Sequence, residues 1–171
     1  MTNMMKKMRE SLLGAGILLV ATLVLPVALW PQASAGVEPI KVGVTVSLSG
    51  RLAAPASEQL QGIQMWAHDL NARGALLGRP VEIVYYDDKS DPETSEALYG
   101  RLINEDKVDL LLGPYSSGLT LAASRMAEKY NFPMVATGAS STDIWSRGNR
   151  NIFQVDAPAD TYLNLVITSA K

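Results

Sequence analysis

Apolar and polar positions along this chain switch repeatedly between two periods. Ile40–Leu48 (IKVGVTVSL) is β-branched and almost unbroken in apolar residues, which predicts a strand buried on both faces, ended by Ser49-Gly50. From about Ser57 to Ala72, Leu60, Ile63, Trp66, Ala67 and Leu70 recur at helical spacing. Asn71–Pro80 is punctuated as a turn, and Val81–Tyr86 reads as a second strand. Asp91 with Pro92 and Glu93 behind it predicts a capped helix running to about Glu105. Val108–Leu112 predicts a third strand, Leu119–Tyr130 a helix, and Met134–Ala136 a fourth strand behind Phe132-Pro133. A polar loop, Thr137–Asp143, follows. Asn151–Val155 then predicts a short fifth strand, and Thr161–Ala170 the start of a further helix.

Strands alternating with helices of ten or more residues predict an α/β fold, a doubly wound parallel sheet with right-handed crossovers. In such sheets ligands bind at the carboxyl ends of the strands. That directs attention to Val108–Gly118 (VDLLLGPYSSG), where a buried strand breaks at Gly113-Pro114 and the next helix opens after Ser116-Ser117-Gly118. Hydroxyls and free amides at a helix N-terminus suit an anion or a carboxylate. Ser140-Ser141-Thr142 follow the fourth strand in the same way. Either loop alone reads as turn and cap residues. Two hydroxyl-rich loops at the ends of adjacent strands favour a binding site.

The first 35 residues change the picture of where such a domain works. Lys6, Lys7 and Arg9 precede an almost wholly apolar Leu12–Trp30, and Ala33-Ser34-Ala35 has the small-residue form of a cleavage site. The apolar run is long enough to reach across a bilayer, so a retained anchor is the rival. Pro26 and the cleavage site favour a signal peptide cut near Ala35/Gly36, leaving residues 36–171 as one exported domain. The leader takes three cations and one anion with it, so the formal charge moves from −2 to a mildly acidic −4. That argues against nucleic acid as a partner. The chain has no cysteine, which excludes disulfides, thiolate metal sites and thiol catalysis.

Other candidate chemistry is thin. Asp87, Asp88 and Asp91 cluster after the second strand, and their ordinary reading is a helix cap plus turn ties. His68 is the only histidine and reads as a surface residue. Met65 and Trp66 read as packing residues, whereas Tyr115 and Trp145 lie in strand-end loops where either packing or ligand contact is open. No dinucleotide fingerprint, phosphate loop or nucleophile elbow is present, and no metal or cofactor is expected.

In order and spacing, IKVGVTVSLSG, DLNARGALLGRP, VEIVYYDDKSDPETS, VDLLLGPYSSG, FPMVATGASST and NIFQVDAPAD resemble the periplasmic solute-binding proteins of the branched-chain amino-acid type, which feed ABC transporters. The resemblance runs from about Ile40 to Lys171. It implies two α/β lobes closing on a ligand, with this chain as the first, type I lobe only; Lys171 falls within a helical pattern without a stop signal. It also implies that Ser117 binds an amino-acid carboxylate, and that Gly138 and Ser140 hold the carboxylate and the ammonium group. The candidate ligand-binding set is therefore Ser116, Ser117, Gly138, Ala139 and Ser140. The implied ligand is an amino acid or a related small polar solute, and the implied partners are permease subunits at the membrane. Pro55 stands where leucine-type binders carry a tyrosine, and Ser90 and Ser116 where some members carry a disulfide. Three other readings compete. A ligand-sensing domain of a receptor or regulator would share the fold. An enzyme would need a convergent acid and base, and the loops offer mainly hydroxyls. A phospho-receiver domain would want acidic residues at Ser47–Gly50 and an aspartate within Gly113–Ser117.

Overall fold

The computed structural model describes residues 37–169. The expected leader at 1–35, the proposed first residue Gly36, Ala170 at the end of the last predicted helix, and Lys171 lie outside them. Five strands form one wholly parallel sheet: β1 (Ile40–Val46), β2 (Val81–Asp87), β3 (Leu110–Leu112), β4 (Met134–Ala136) and β5 (Ile152–Gln154). Their order is β2-β1-β3-β4-β5. The chain leaves β1 in one direction to β2, then crosses back over it to β3. The order therefore reverses beside β1, and in such sheets ligands bind at the carboxyl ends of the strands at that reversal.

Helix α1 (Ala53–Ala72) covers one face, and α2 (Pro92–Asn104) and α3 (Ser117–Lys129) cover the other. Strand alternation decides which side chains meet them. Val42, Val44 and Val46 join Ala56, Leu60, Ile63 and Ala67 of α1. Thr45 turns the opposite way, to Ser95 and Tyr99 of α2. Below α2 and α3 the core is Tyr99, Leu102, Leu111, Ala123, Ala127, Met134 and Ile152. Tyr99 is wholly buried, its hydroxyl donating to the Leu112 carbonyl, and burial raises its phenol far above the usual range.

The capped second helix forms as its sequence dictates. The Asp91 carboxylate accepts from the Thr94 amide at 2.7 Å, Pro92 occupies the first turn, and Arg101 lies in the last. Three elements differ from the periodicity reading. α1 starts at Ala53, four residues before Ser57, because Pro55 sits in the first turn, where its missing N–H costs nothing. A short helix α4 (Asp143–Ser146) closes the polar loop after β4. The last predicted helix is divided into a 3₁₀ turn (Ala159–Thr161) and α5 (Asn164–Ser169).

Met65 and Trp66 also depart from expectation: they are 66% and 45% exposed on α1 instead of packed. The cause is the reach of α1, which covers β1, β2 and the near side of β3 only. Leu110 and Phe153 alternate onto the same face farther along and stay 41% and 56% exposed. Between them and α1 runs an apolar groove of about 280 Å³, lined by Gln59, Gly62, Ile63, Trp66, Leu112 and Thr137. Parallel sheets are normally covered on both faces, so this face is incomplete among the described residues.

Candidate functional site

Two loops leave the carboxyl ends of β3 and β4 and meet. Their approach depends on small residues. A Cβ on Gly113 would stand 3.1 Å from the Ala136 Cα, and one on Gly138 would stand 3.2 Å from the Tyr115 ring. The Ser116 amide then donates to the Gly138 carbonyl at 2.9 Å. Ser116 takes a positive φ of 92° to do so, a strained value for a residue with a side chain. Its own hydroxyl caps α3, accepting from the Leu119 amide at 3.5 Å, and the Thr120 hydroxyl donates to the Pro114 carbonyl at 3.1 Å.

Ser117 lies at the centre of this junction. Its Oγ accepts the amides of Ser140 at 3.3 Å and Ser141 at 3.1 Å. A hydroxyl has two lone pairs and one proton. Both lone pairs are occupied, so the proton is the group left to donate to an incoming acceptor. The Ser117 and Gly118 amides, in the first turn of α3, are among those that a helix leaves unpaired. Together they form a compact set of donors with the favourable end of the helix dipole behind them.

The β4 loop presents the remaining candidates differently. Its carbonyls are already engaged: Gly138 by Ser116, Ala139 by the Gln154 side chain at 3.4 Å, and Ser140 by the Ala159 amide at 2.8 Å. Ala139 is buried, while Gly138 and Ser140 are half-buried. The structure thus brings Ser116, Ser117, Gly138, Ala139 and Ser140 together and gives them unequal free chemistry. Ser116 is spent on the cap, Ala139 is core, and Ser117 and Ser140 offer hydroxyls. Tyr115 packs against the core cluster shared by β1 and α1, and Trp145 against the cluster below α2 and α3, so both loop aromatics contribute to the core.

The carboxyl groups after β2 tie loops together. Asp88 is wholly buried and accepts from Thr45 Oγ1 at 2.8 Å, Ser47 Oγ at 2.6 Å and the Ser90 amide at 3.0 Å. Asp87 accepts from the Leu48, Ser49 and Lys89 amides and the Ser49 hydroxyl. Partial burial opposes its charge, but those donors outweigh it and hold its carboxyl below the usual range. The Thr94 bonds lower Asp91 likewise. His68 is exposed on α1. No cluster of three metal-ligating side chains occurs among the described residues.

These shifts carry a sign. Both carboxyls have a lower pKa folded than unfolded, so their stabilisation is present above the unfolded value, about 4, and is lost as pH falls through the folded one. The urea midpoint should hold steady from pH 7 to about 5, then drop below about 4, with Asp87→Asn flattening the drop. A midpoint just as steep in Asp87→Asn would assign acid sensitivity to other groups.

One residue that the sequence reading passed over is Gln59. It is a polar side chain beside the buried stripe of α1, three residues after Ala56 and four before Ile63. It reaches across to both loops, donating to Thr137 Oγ1 at 2.6 Å and to the Gly113 carbonyl at 3.3 Å.

Comparison with known proteins identifies the family and the fold. A family model described as periplasmic binding protein matches residues 39–171. The Leu/Ile/Val-binding protein of Escherichia coli strain K12 is 30% identical over 117 residues, covering 68% of this chain and 32% of that protein. The branched-chain amino acid transporter substrate binding protein of Streptococcus pneumoniae, solved in complex with isoleucine, superposes with a TM-score of 0.67 at 27% identity. That match covers 74% of this chain and 38% of the other. The leucine binding protein of Thermotoga maritima superposes with a TM-score of 0.63 at 25% identity, over the same shares of the two chains. The chain spans about a third of the length of the curated relatives it matches.

Proposed function

Because this chain belongs to the periplasmic binding protein family, we propose that it supplies the first ligand-capturing lobe of an extracytoplasmic receptor for an ABC importer. The ligand we assign is an amino acid or a closely related small carboxylate. The observation that carries this reading is Ser117: its hydroxyl links both strand-end loops, keeps its proton for an acceptor, and sits over the open amides of α3.

In the proposed mechanism a carboxylate settles on the Ser117 hydroxyl and the Ser117 and Gly118 amides. Hydrogen bonds to a charged group are the stronger kind. The Ser140 hydroxyl, in the same loop, is the group assigned to accept from an ammonium group, with Gly138 and Ala139 assigned to the floor. Capture is reversible and forms no covalent bond, so the protein is a carrier and not an enzyme. Residues 1–35 direct export and are then removed, and permease subunits receive the ligand at the membrane.

Typical small-molecule pockets bury about 70–90% of their ligand, and this lobe is an open shelf. Millimolar affinity is therefore expected of residues 36–171, about 4 kcal/mol. Saturation-transfer NMR with L-leucine, L-isoleucine, L-valine and the neutral sugar glucose, each at millimolar concentration, tests the reading. Signal from the amino acids and none from glucose is expected. Signal from glucose alone would overturn the assignment of a carboxylate ligand.

A further inference from the structure

Among the described residues, Oε1 of Gln59 is a buried side-chain oxygen without a hydrogen-bond partner. Leaving a buried amide carbonyl unpaired is unfavourable, and native structures rarely do it without a reason. Here the other half of the same amide supplies the reason. Nε2 donates to Thr137 Oγ1 at 2.6 Å and to the Gly113 carbonyl at 3.3 Å, and Thr137 Oγ1 donates in turn to that carbonyl at 3.1 Å. Turning the amide over would set Oε1 against the Gly113 carbonyl, two acceptors face to face. The network therefore fixes which end of the amide faces the loops.

Gly113 and Thr137 are the residues that immediately follow β3 and β4. They are the roots of the two loops that carry Ser117 and Ser140. Farther out, the same loops meet again through the Ser116 amide and through Ser117 Oγ. The ring of three bonds lies behind that junction and reaches it from a third element, α1.

We infer that Gln59 is a positioning residue for ligand capture: it locks the roots of the β3 and β4 loops at the spacing in which Ser117 Oγ meets the Ser140 and Ser141 amides. The inference rests on the reading of those loops as the capture site. Gln59 touches no ligand in this account and acts only through the loops.

Two variants test the lock. Gln59→Met keeps the length and removes both donors. Gln59→Glu places a carboxylate against the Gly113 carbonyl; burial and that carbonyl raise its pKa above the model-compound value of about 4.3, and the protonated form regains one donor. The first readout is hydrogen exchange at the Ser116, Ser140 and Ser141 amides, with β1 amides as internal reference. The second is the L-isoleucine Kd by NMR titration. In Gln59→Met, the three loop amides should lose protection about tenfold at every pH, β1 should stay within about twofold, and the Kd should rise about tenfold. In Gln59→Glu the same losses should appear at pH 8 and recede towards pH 4.5. Unchanged protection at the three loop amides would overturn the inference, as would equal loss throughout β1, which marks a general structural role. Should Gln59→Met fail to fold, Thr137→Val removes the hydroxyl that the amide holds and must expose the same three amides; if it leaves them protected, the lock is refuted. A wild-type protein that ignores isoleucine while its loops respond to Gln59 would support the lock and overturn the capture reading.

Discussion

Asp88→Ala is expected to lower the unfolding free energy by about 3–5 kcal/mol, a large share of what a domain this size has to spare. The carboxyl group is wholly buried and is the common acceptor for the Thr45 and Ser47 hydroxyls and the Ser90 amide. Alanine would strand all three donors away from water, and stranded donors cost more than the net value of the bonds they lose. The damage would spread, because Thr45 Oγ1 also bonds Ser95 Oγ, and the Thr45 amide donates to the Tyr99 hydroxyl. Asn, which keeps one acceptor, should cost about half as much. Urea titration measures both. Affinity of the folded protein for isoleucine should change less than about twofold, since the donors that Asp88 holds lie under the β1 and β2 loops and not under Ser117. A loss of stability below about 1 kcal/mol would mean that the three donors find other partners.

Asp88 also shows what was legible in the sequence and what was not. The cluster Asp87-Asp88-x-x-Asp91 reads correctly as turn ties and a cap, because donors from the local backbone are implied by the turn itself. That Asp88 also gathers Thr45 and Ser47 from β1 depends on the parallel pairing of β1 with β2, where Val46 stands opposite Asp87. Periodicity located all five strands: β1, buried on both faces, leaves a nearly unbroken apolar run, and the others stand out as short apolar or aromatic runs between turn residues. It misjudged the start of α1, where Pro55 resembles loop punctuation until its first-turn position is known. It assigned Met65 and Trp66 to the core because helical spacing identifies an apolar stripe without showing how much of the sheet that helix covers. Gln59 was invisible for a related reason. Its role comes from Gly113 and Thr137, residues 54 and 78 positions away.

Ser117→Ala should weaken binding by about 1–3 kcal/mol, a loss of about fivefold to 150-fold in affinity. The hydroxyl does two things in the structure. It offers its proton, and it accepts the Ser140 and Ser141 amides that hold the β4 loop against α3. Alanine removes the donor from the carboxylate and releases both amides, so the shelf loses a contact and its alignment together. Ser116→Ala should do less to binding, because the Ser116 hydroxyl serves the Leu119 amide. Its cost should appear in stability, at about 1 kcal/mol for a lost cap. Equal effects of the two substitutions on isoleucine affinity would remove the distinction drawn between them.

The β3 and β4 loops, and not the groove beside Trp66, are the proposed carboxylate site. Titrating isotope-labelled residues 36–171 with L-isoleucine, and following each backbone amide by two-dimensional NMR, tests it most directly. The predicted result is saturable shifts at Ser117, Gly118 and Gly138–Ser141, abolished or sharply weakened in Ser117→Ala. Shifts centred on Gly62, Ile63 and Trp66, or none at tens of millimolar isoleucine, would contradict it.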